Sequence, residues 1–150
     1  MEKDLYSPSL SGEHIKNTKS YNLTSLFVVA ILGQIVAIAA IGLQNAIWLK
    51  VEKKVLYILI GICTALFIGK IYLIYAFTHQ MIDVERSTYR GFGSLLAIGC
   101  FIAFYNLLKD PYNLHISTKD STESLVLPGI IWCIIGVGIE LLLVVTISRI

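Results

Sequence analysis

The longest uncharged run decides what this chain can become. Residues 23–49 (LTSLFVVAILGQIVAIAAIGLQNAIWL) contain no Asp, Glu, Lys or Arg, and apolar runs follow at 55–77, 92–108 and 125–147. A helix rises about 1.5 Å per residue, so roughly 20 apolar residues cross a hydrocarbon core about 30 Å thick. Backbone groups in lipid must be satisfied within the segment, and runs this long are helices rather than the alternating strands of a barrel. The expected fold is therefore an all-α integral membrane protein. It has four transmembrane helices in an antiparallel up-down bundle with short loops, residues 23–150, behind a polar N-terminal tail, 1–22. The tail is expected to lie on the surface. The first run greatly exceeds a signal peptide's apolar core and follows the whole polar tail, so it reads as a retained helix.

Composition supports the same class. The 150 residues are 56% hydrophobic and 15% charged, with mean hydropathy +0.75. Soluble domains carry about 45–50% apolar and about 25% charged residues, so a water-soluble globule and a disordered chain are both excluded. The net charge of +2 is small and dispersed, which argues against nucleic acid as a partner. The lipid bilayer is the expected environment, and the Ile-, Leu-, Lys- and Tyr-rich composition points to the cell membrane of an AT-rich bacterium.

Four crossings would place the tail, the second connector (78–91) and the C-terminus on one side. Connectors 50–54 and 109–124 would occupy the other. Lys3, Lys16, Lys19, Arg86, Arg90 and Arg149 then face Lys50, Lys53, Lys54, Lys109 and Lys119, six against five. The positive-inside rule barely separates these sums, and the acidic third connector tips the expectation towards cytoplasmic termini. Trp48, Tyr57, Tyr105 and Tyr112 fall at one interface, and Tyr72, Tyr75 and Tyr89 at the other, as aromatic belts require.

Only two charges interrupt the apolar runs: Lys70 and Glu140, each fifteen residues beyond the start of its run. In parallel helices they lie at matching depth. A lone charge at mid-span costs about 2.5–3.5 kcal/mol, so an intramembrane Lys70–Glu140 pair is the economical arrangement. The alternatives are Lys70 snorkelling to the headgroups, a protonated Glu140, and contact with another subunit. Cys63 and Cys133 each stand seven residues before the charge in their run, with glycines nearby, a pattern that hints at two related hairpins.

Other polar residues in the runs need partners. Gln34 and Asn45, eleven residues apart, project onto one face of a continuous helix. With Thr64 and Asn106 they are expected in the polar interior of the bundle, as interhelical glue or as the lining of a cavity. Gly61, Ala65 and Gly69 form a small-residue stripe, and Gly136 lies one turn before Glu140; these are the expected packing positions. Cys63, Cys100 and Cys133 sit in apolar runs, and no CxxC or HxxxH supports a metal site. The histidines, His14, His79 and His115, are scattered through connectors and read as solvated, with a pH response conceivable at His115.

No phosphate loop, nucleophile–base pair or carboxylate dyad is visible, so neither catalysis nor a cofactor is expected. The expected function is that of a small non-enzymatic accessory, regulatory or immunity-type subunit of a larger membrane complex, bound to other membrane subunits or to itself. The alternative is a small oligomeric transporter or channel using Lys70 and Glu140.

Overall fold

In the computed structural model, which describes residues 18–81, 85–119 and 121–149, the chain is built from helices. They are α1 (Ser25–Trp48), α2 (Lys53–Thr78), α3 (Arg86–Lys119) and α4 (Val126–Ile147). Each is long and apolar enough to cross a membrane. α2 touches all three other helices, and so does α1, whereas α3 and α4 share no contact among the described residues.

α1 does not run straight. Gln34 has φ 58° and ψ −161°, outside the helical region, and joins two helical arms, 25–33 and 35–48. The direction of the second arm follows from contacts at its far end. A straight helix would separate Tyr21 from Asn45 by about 36 Å, given the rise per residue. Instead the Tyr21 N–H donates to Asn45 Oδ1 at 2.8 Å, the Lys19 N–H donates to the Trp48 carbonyl at 3.4 Å, and the Tyr21 and Trp48 rings lie 4.8 Å apart. The arms therefore fold back on each other as a helical hairpin. Its turn confirms this locally: a Cβ on Gly33 would collide with the Ala37 methyl, although such atoms stand about 5–6 Å apart in a continuous helix.

This corrects the up-down bundle of four straight spans. Both ends of α1 lie at one end of the molecule, together with connector 50–52 and the α3–α4 connector. Residues 18–22 are anchored there, since the Glu123 N–H donates to the Ser20 carbonyl at 2.8 Å and Lys19 Nζ lies 3.2 Å from Glu123 Oε1. α4 then runs away from this end for 22 residues. The described part of the tail and the end of α4 are thus at opposite ends, not on a shared side. Ser20 and Tyr21 are buried, so this part is not a surface strand. Residues 1–17 lie outside the described residues.

α3 differs from expectation at its far end. The 109–124 segment was expected to be a connector, but the helix continues through Pro111 to Lys119. Its inner face, Gly93, Ala97, Cys100, Phe104 and Leu108, steps by three or four residues and packs on the hairpin. Phe104 fits there because Gly42 has no side chain: a Cβ would stand 2.7 Å from the ring. The pattern continues to His115, so the same face holds the helix down past the proline.

α1 and α2 both end in six-residue turns. The Lys50 N–H donates to the Ile47 carbonyl and Val51 N–H to the Ala46 carbonyl; Gln80 and Met81 repeat this on Phe77 and Ala76. Lys50 and Gln80 carry φ 53° in these turns, positions that usually hold glycine. α1 is the most buried helix, and α4 the least, with its outer face of Leu, Ile and Val exposed. An apolar exterior around an apolar core is consistent with a multi-pass membrane protein.

Candidate functional site

The hairpin tip reaches buried Lys70 and half-buried Glu140. Lys70 Nζ lies 3.0 Å from Glu140 Oε1 and donates to Gln34 Oε1 at 3.2 Å. Lys70 is only 4% exposed, while the Glu140 side chain retains 27%. Three elements supply the three groups: the α1 turn, mid-α2 and mid-α4. α3 contributes closeness without charge, because a Cβ built on Gly93 would stand 3.8 Å from Lys70 Nζ. An ammonium group has three N–H donors, so two are used by protein oxygens. A small cavity beside them, lined by Gln34, Phe67, Lys70, Gly136 and Glu140 among others, has room for about one water-sized guest.

Close packing of backbone sets this geometry. Gly136 lies against the Gly33 carbonyl, and a Cβ there would collide with it. Cys133 closes the other side, its Sγ 2.9 Å from a Cβ built on Gly33. α4 can thus approach the turn near enough for Glu140, one helical turn beyond Gly136, to meet Lys70. Gln34 also uses its amide, Nε2 donating to the Ile31 carbonyl at 3.4 Å, one of the carbonyls that the helix break deprives of an intrahelical partner. Backbone at φ 58° and ψ −161° is essentially restricted to glycine, at a cost of about 1–3 kcal/mol for other residues. Among the described residues, this strained non-glycine residue is the one whose side-chain oxygen accepts from the ammonium of the Lys70–Glu140 pair.

The expected polar interior divides. Gln34 joins the charges, but Asn45 sits at the opposite, open end of the hairpin, because the break at Gln34 destroys the helical phase that put them on one face. There Asn45 Oδ1 accepts from the Tyr21 N–H and from Ser20 Oγ at 3.1 Å. Thr64 and Asn106 are exposed on the outer surface, contrary to expectation. Thr64 needs no interior partner, since its hydroxyl donates to the Ile60 carbonyl at 2.8 Å. The stripe of Gly61, Ala65 and Gly69 also faces outward: a Cβ on either glycine would meet nothing within 4 Å. Gly136 is the expected packing residue that does pack.

The thiols are arranged differently as well. Cys63 Sγ faces Cys100 Sγ at 3.5 Å, while Cys133 packs on the α1 turn, so the suggested repeat of two hairpins has no counterpart. All three cysteines are free. Among the described residues no three His, Cys, Asp or Glu side chains converge on a point.

A second cluster, at the hairpin mouth, was missed. His115 is 4% exposed rather than solvated. Its Nε2 donates to the Ser121 carbonyl at 3.0 Å, because a carbonyl can only accept, and its Nδ1 lies within hydrogen-bond distance, 2.7 Å, of Thr18 Oγ1. Burial and the nearby Glu123 carboxylate push the Tyr21 hydroxyl above its usual pKa, with Lys19 opposing them. This strap ties residues 18–22 across the mouth. The sequence carries no signal for it beyond the aromatic pair Tyr21 and Trp48.

The chain matches no protein-family model, no curated protein and no solved structure.

Proposed function

We propose that this chain is a non-enzymatic multi-pass membrane protein of the transport class, in which α2, α3 and α4 cross the bilayer and α1 enters and leaves on one side. The observation that carries the reading is the broken apolar helix whose tip meets the Lys70–Glu140 pair. Irregular backbone at membrane depth is tolerated where protein or a polar cavity covers it, and intramembrane ionisable groups mark ion and proton paths. Discontinuous helices form substrate and ion sites near the bilayer midplane for the same reason. Four helical segments from one chain enclose little space, so the working form in this reading is an oligomer.

In this reading the hairpin changes the balance of charges between the two sides. Among the described residues flanking the helices, Lys19, Lys50, Lys53, Lys54, Lys109 and Lys119 belong to the hairpin-mouth end, against Arg86, Arg90 and Arg149 at the other, six to three. The positive-inside rule then favours a cytoplasmic hairpin mouth and an outward C-terminus. Thiol labelling of sealed vesicles at Asn22→Cys and Arg149→Cys tests this: the two sites should respond from opposite sides.

The functional test is ion flux in proteoliposomes with a trapped pH dye. Dissipation of an imposed gradient is expected with the native chain and not with Lys70→Met/Glu140→Leu. Absence of flux in the native oligomer would reject transport. A second reading, an accessory subunit, is favoured by the outward Gly61–Ala65–Gly69 stripe, which leaves α2 open to close approach by a partner helix.

A further inference from the structure

We propose that Cys63 and Cys100 are an oxidative modification site: a buried thiol pair that an apolar hydroperoxide dissolved in the lipid converts to a disulfide joining α2 to α3. The Sγ atoms face each other at 3.5 Å, one from each helix, and both thiols are free. A disulfide holds its sulfurs about 2.05 Å apart, so the remaining approach is about 1.5 Å. The pair stands apart from the Lys70–Glu140–Gln34 centre and takes none of its oxygens. Cys63 is 7% exposed and Cys100 is fully buried. The surface beside them is thinly covered, because Gly61 and Gly99 are exposed and a Cβ on either would meet nothing within 4 Å. Where α2 and α3 cross a bilayer, this surface lies in hydrocarbon, which admits an uncharged hydroperoxide and disfavours a charged oxidant.

The link acts on the Lys70 centre through the helix seam. Lys70 stands seven residues after Cys63, and Gly93 seven before Cys100; a Cβ on Gly93 would lie 3.8 Å from Lys70 Nζ. Both contacts therefore belong to one antiparallel seam, about 10 Å apart along it. A covalent bond at the first contact fixes the α2–α3 register at the second.

The chemistry balances in two steps. Cys63, the more exposed sulfur, attacks the terminal peroxide oxygen; the O–O bond breaks, a sulfenic acid forms, and the alcohol leaves with the thiol proton. Cys100 then attacks the Cys63 sulfur; the S–S bond forms, the S–O bond breaks, and water leaves. Two thiols and one hydroperoxide thus give a disulfide, an alcohol and a water, the sulfurs losing two electrons and the peroxide gaining them. A dithiol reductant restores the pair by exchange. Cys133 supplies the contrast, since it is less buried than either and packs on the α1 turn instead of on a thiol.

The test treats the purified full chain in nanodiscs with cumene hydroperoxide, then alkylates the remaining thiols and maps the peptides by mass. Cys63 and Cys100 should become linked within one chain, with loss of two hydrogens, while Cys133 is still alkylated, although exposure alone would put Cys133 first. Dithiothreitol should reverse the change. The linked chain should unfold at a higher temperature, because the bond closes the loop between residues 63 and 100. Cys100→Ala should abolish the loss of two hydrogens. Oxidation of Cys133 ahead of the pair, three unreactive thiols, or an oxidation of Cys63 and Cys100 that dithiothreitol does not reverse would overturn the site. An unchanged unfolding temperature in the linked chain would overturn the clamp on α2 and α3. The comparison with Cys133 is internal to the native chain, so it decides the matter even if the variant does not fold. Flux in vesicles plays no part in it, so failure of the transport reading and failure of this site are separate results.

Discussion

Removing one partner of the Lys70–Glu140 pair should damage the fold more than removing both. Lys70 is 4% exposed, so Glu140→Leu leaves an ammonium buried with Gln34 Oε1 as its remaining protein acceptor. Stranding a buried charge typically costs about 3–5 kcal/mol, and the lower bound, about 3 kcal/mol, suits a group that keeps one hydrogen bond. Lys70→Met strands Glu140 instead, whose side chain is 27% exposed and recovers some solvation. About 2 kcal/mol is expected there. The double variant Lys70→Met/Glu140→Leu removes both charges and fills their volume with apolar groups, and should cost about 1 kcal/mol or less. The coupling energy is then about 4 kcal/mol, far beyond the few tenths found for independent sites. Equilibrium unfolding in mixed micelles, followed by Trp48 and Trp132 emission, measures all three. If the double variant loses the sum of the single losses, the pair is not an energetic unit and the central site is misread.

Further outcomes follow from the same geometry. Gln34→Gly and Gln34→Ala both remove the acceptor for Lys70, but only glycine relieves the backbone at φ 58°, so the alanine variant should be less stable by about 1–3 kcal/mol. Gly136→Ala drives a methyl into the Gly33 carbonyl and should cost about 1–3 kcal/mol by the same unfolding assay. Asn45→Ala leaves the buried Tyr21 N–H without its acceptor, a loss of about 1–3 kcal/mol, and should increase amide exchange across residues 19–22. The Tyr21 hydroxyl has its pKa raised above 10.0 by burial and then by Glu123. Its contribution to stability is therefore complete below the unfolded pKa and is lost as pH rises through the folded one. Alkaline titration of the native chain should show this loss, and Tyr21→Phe should flatten it.

The sequence made the helices and the two charges legible, because apolar length and rare intramembrane charge are strong signals. The reversal of α1 was not legible, since a periodicity argument assumes the helix is continuous and Gly33–Gln34 contains no proline. One trace of it was present: a Gly next to the first amide in an uncharged run long enough for two short arms. Thr64 was misplaced because a helical hydroxyl can satisfy itself on the carbonyl four residues back. The α2 stripe shows that small residues permit close approach without requiring it within the same chain.

The Lys70–Glu140–Gln34 centre requires α1 to be a hairpin, and one distance decides it. Spin labels at Asn22→Cys and Lys50→Cys, in a chain whose three native cysteines are replaced by alanine, occupy two exposed positions flanking α1. A continuous helix would hold these positions about 42 Å apart. Electron–electron dipolar spectroscopy in nanodiscs should instead give a separation under roughly 20 Å, with α1 folded back so that Tyr21 meets Trp48. A distribution centred near 40 Å would contradict the hairpin, and with it the orientation and the assembly of the Lys70–Glu140–Gln34 centre.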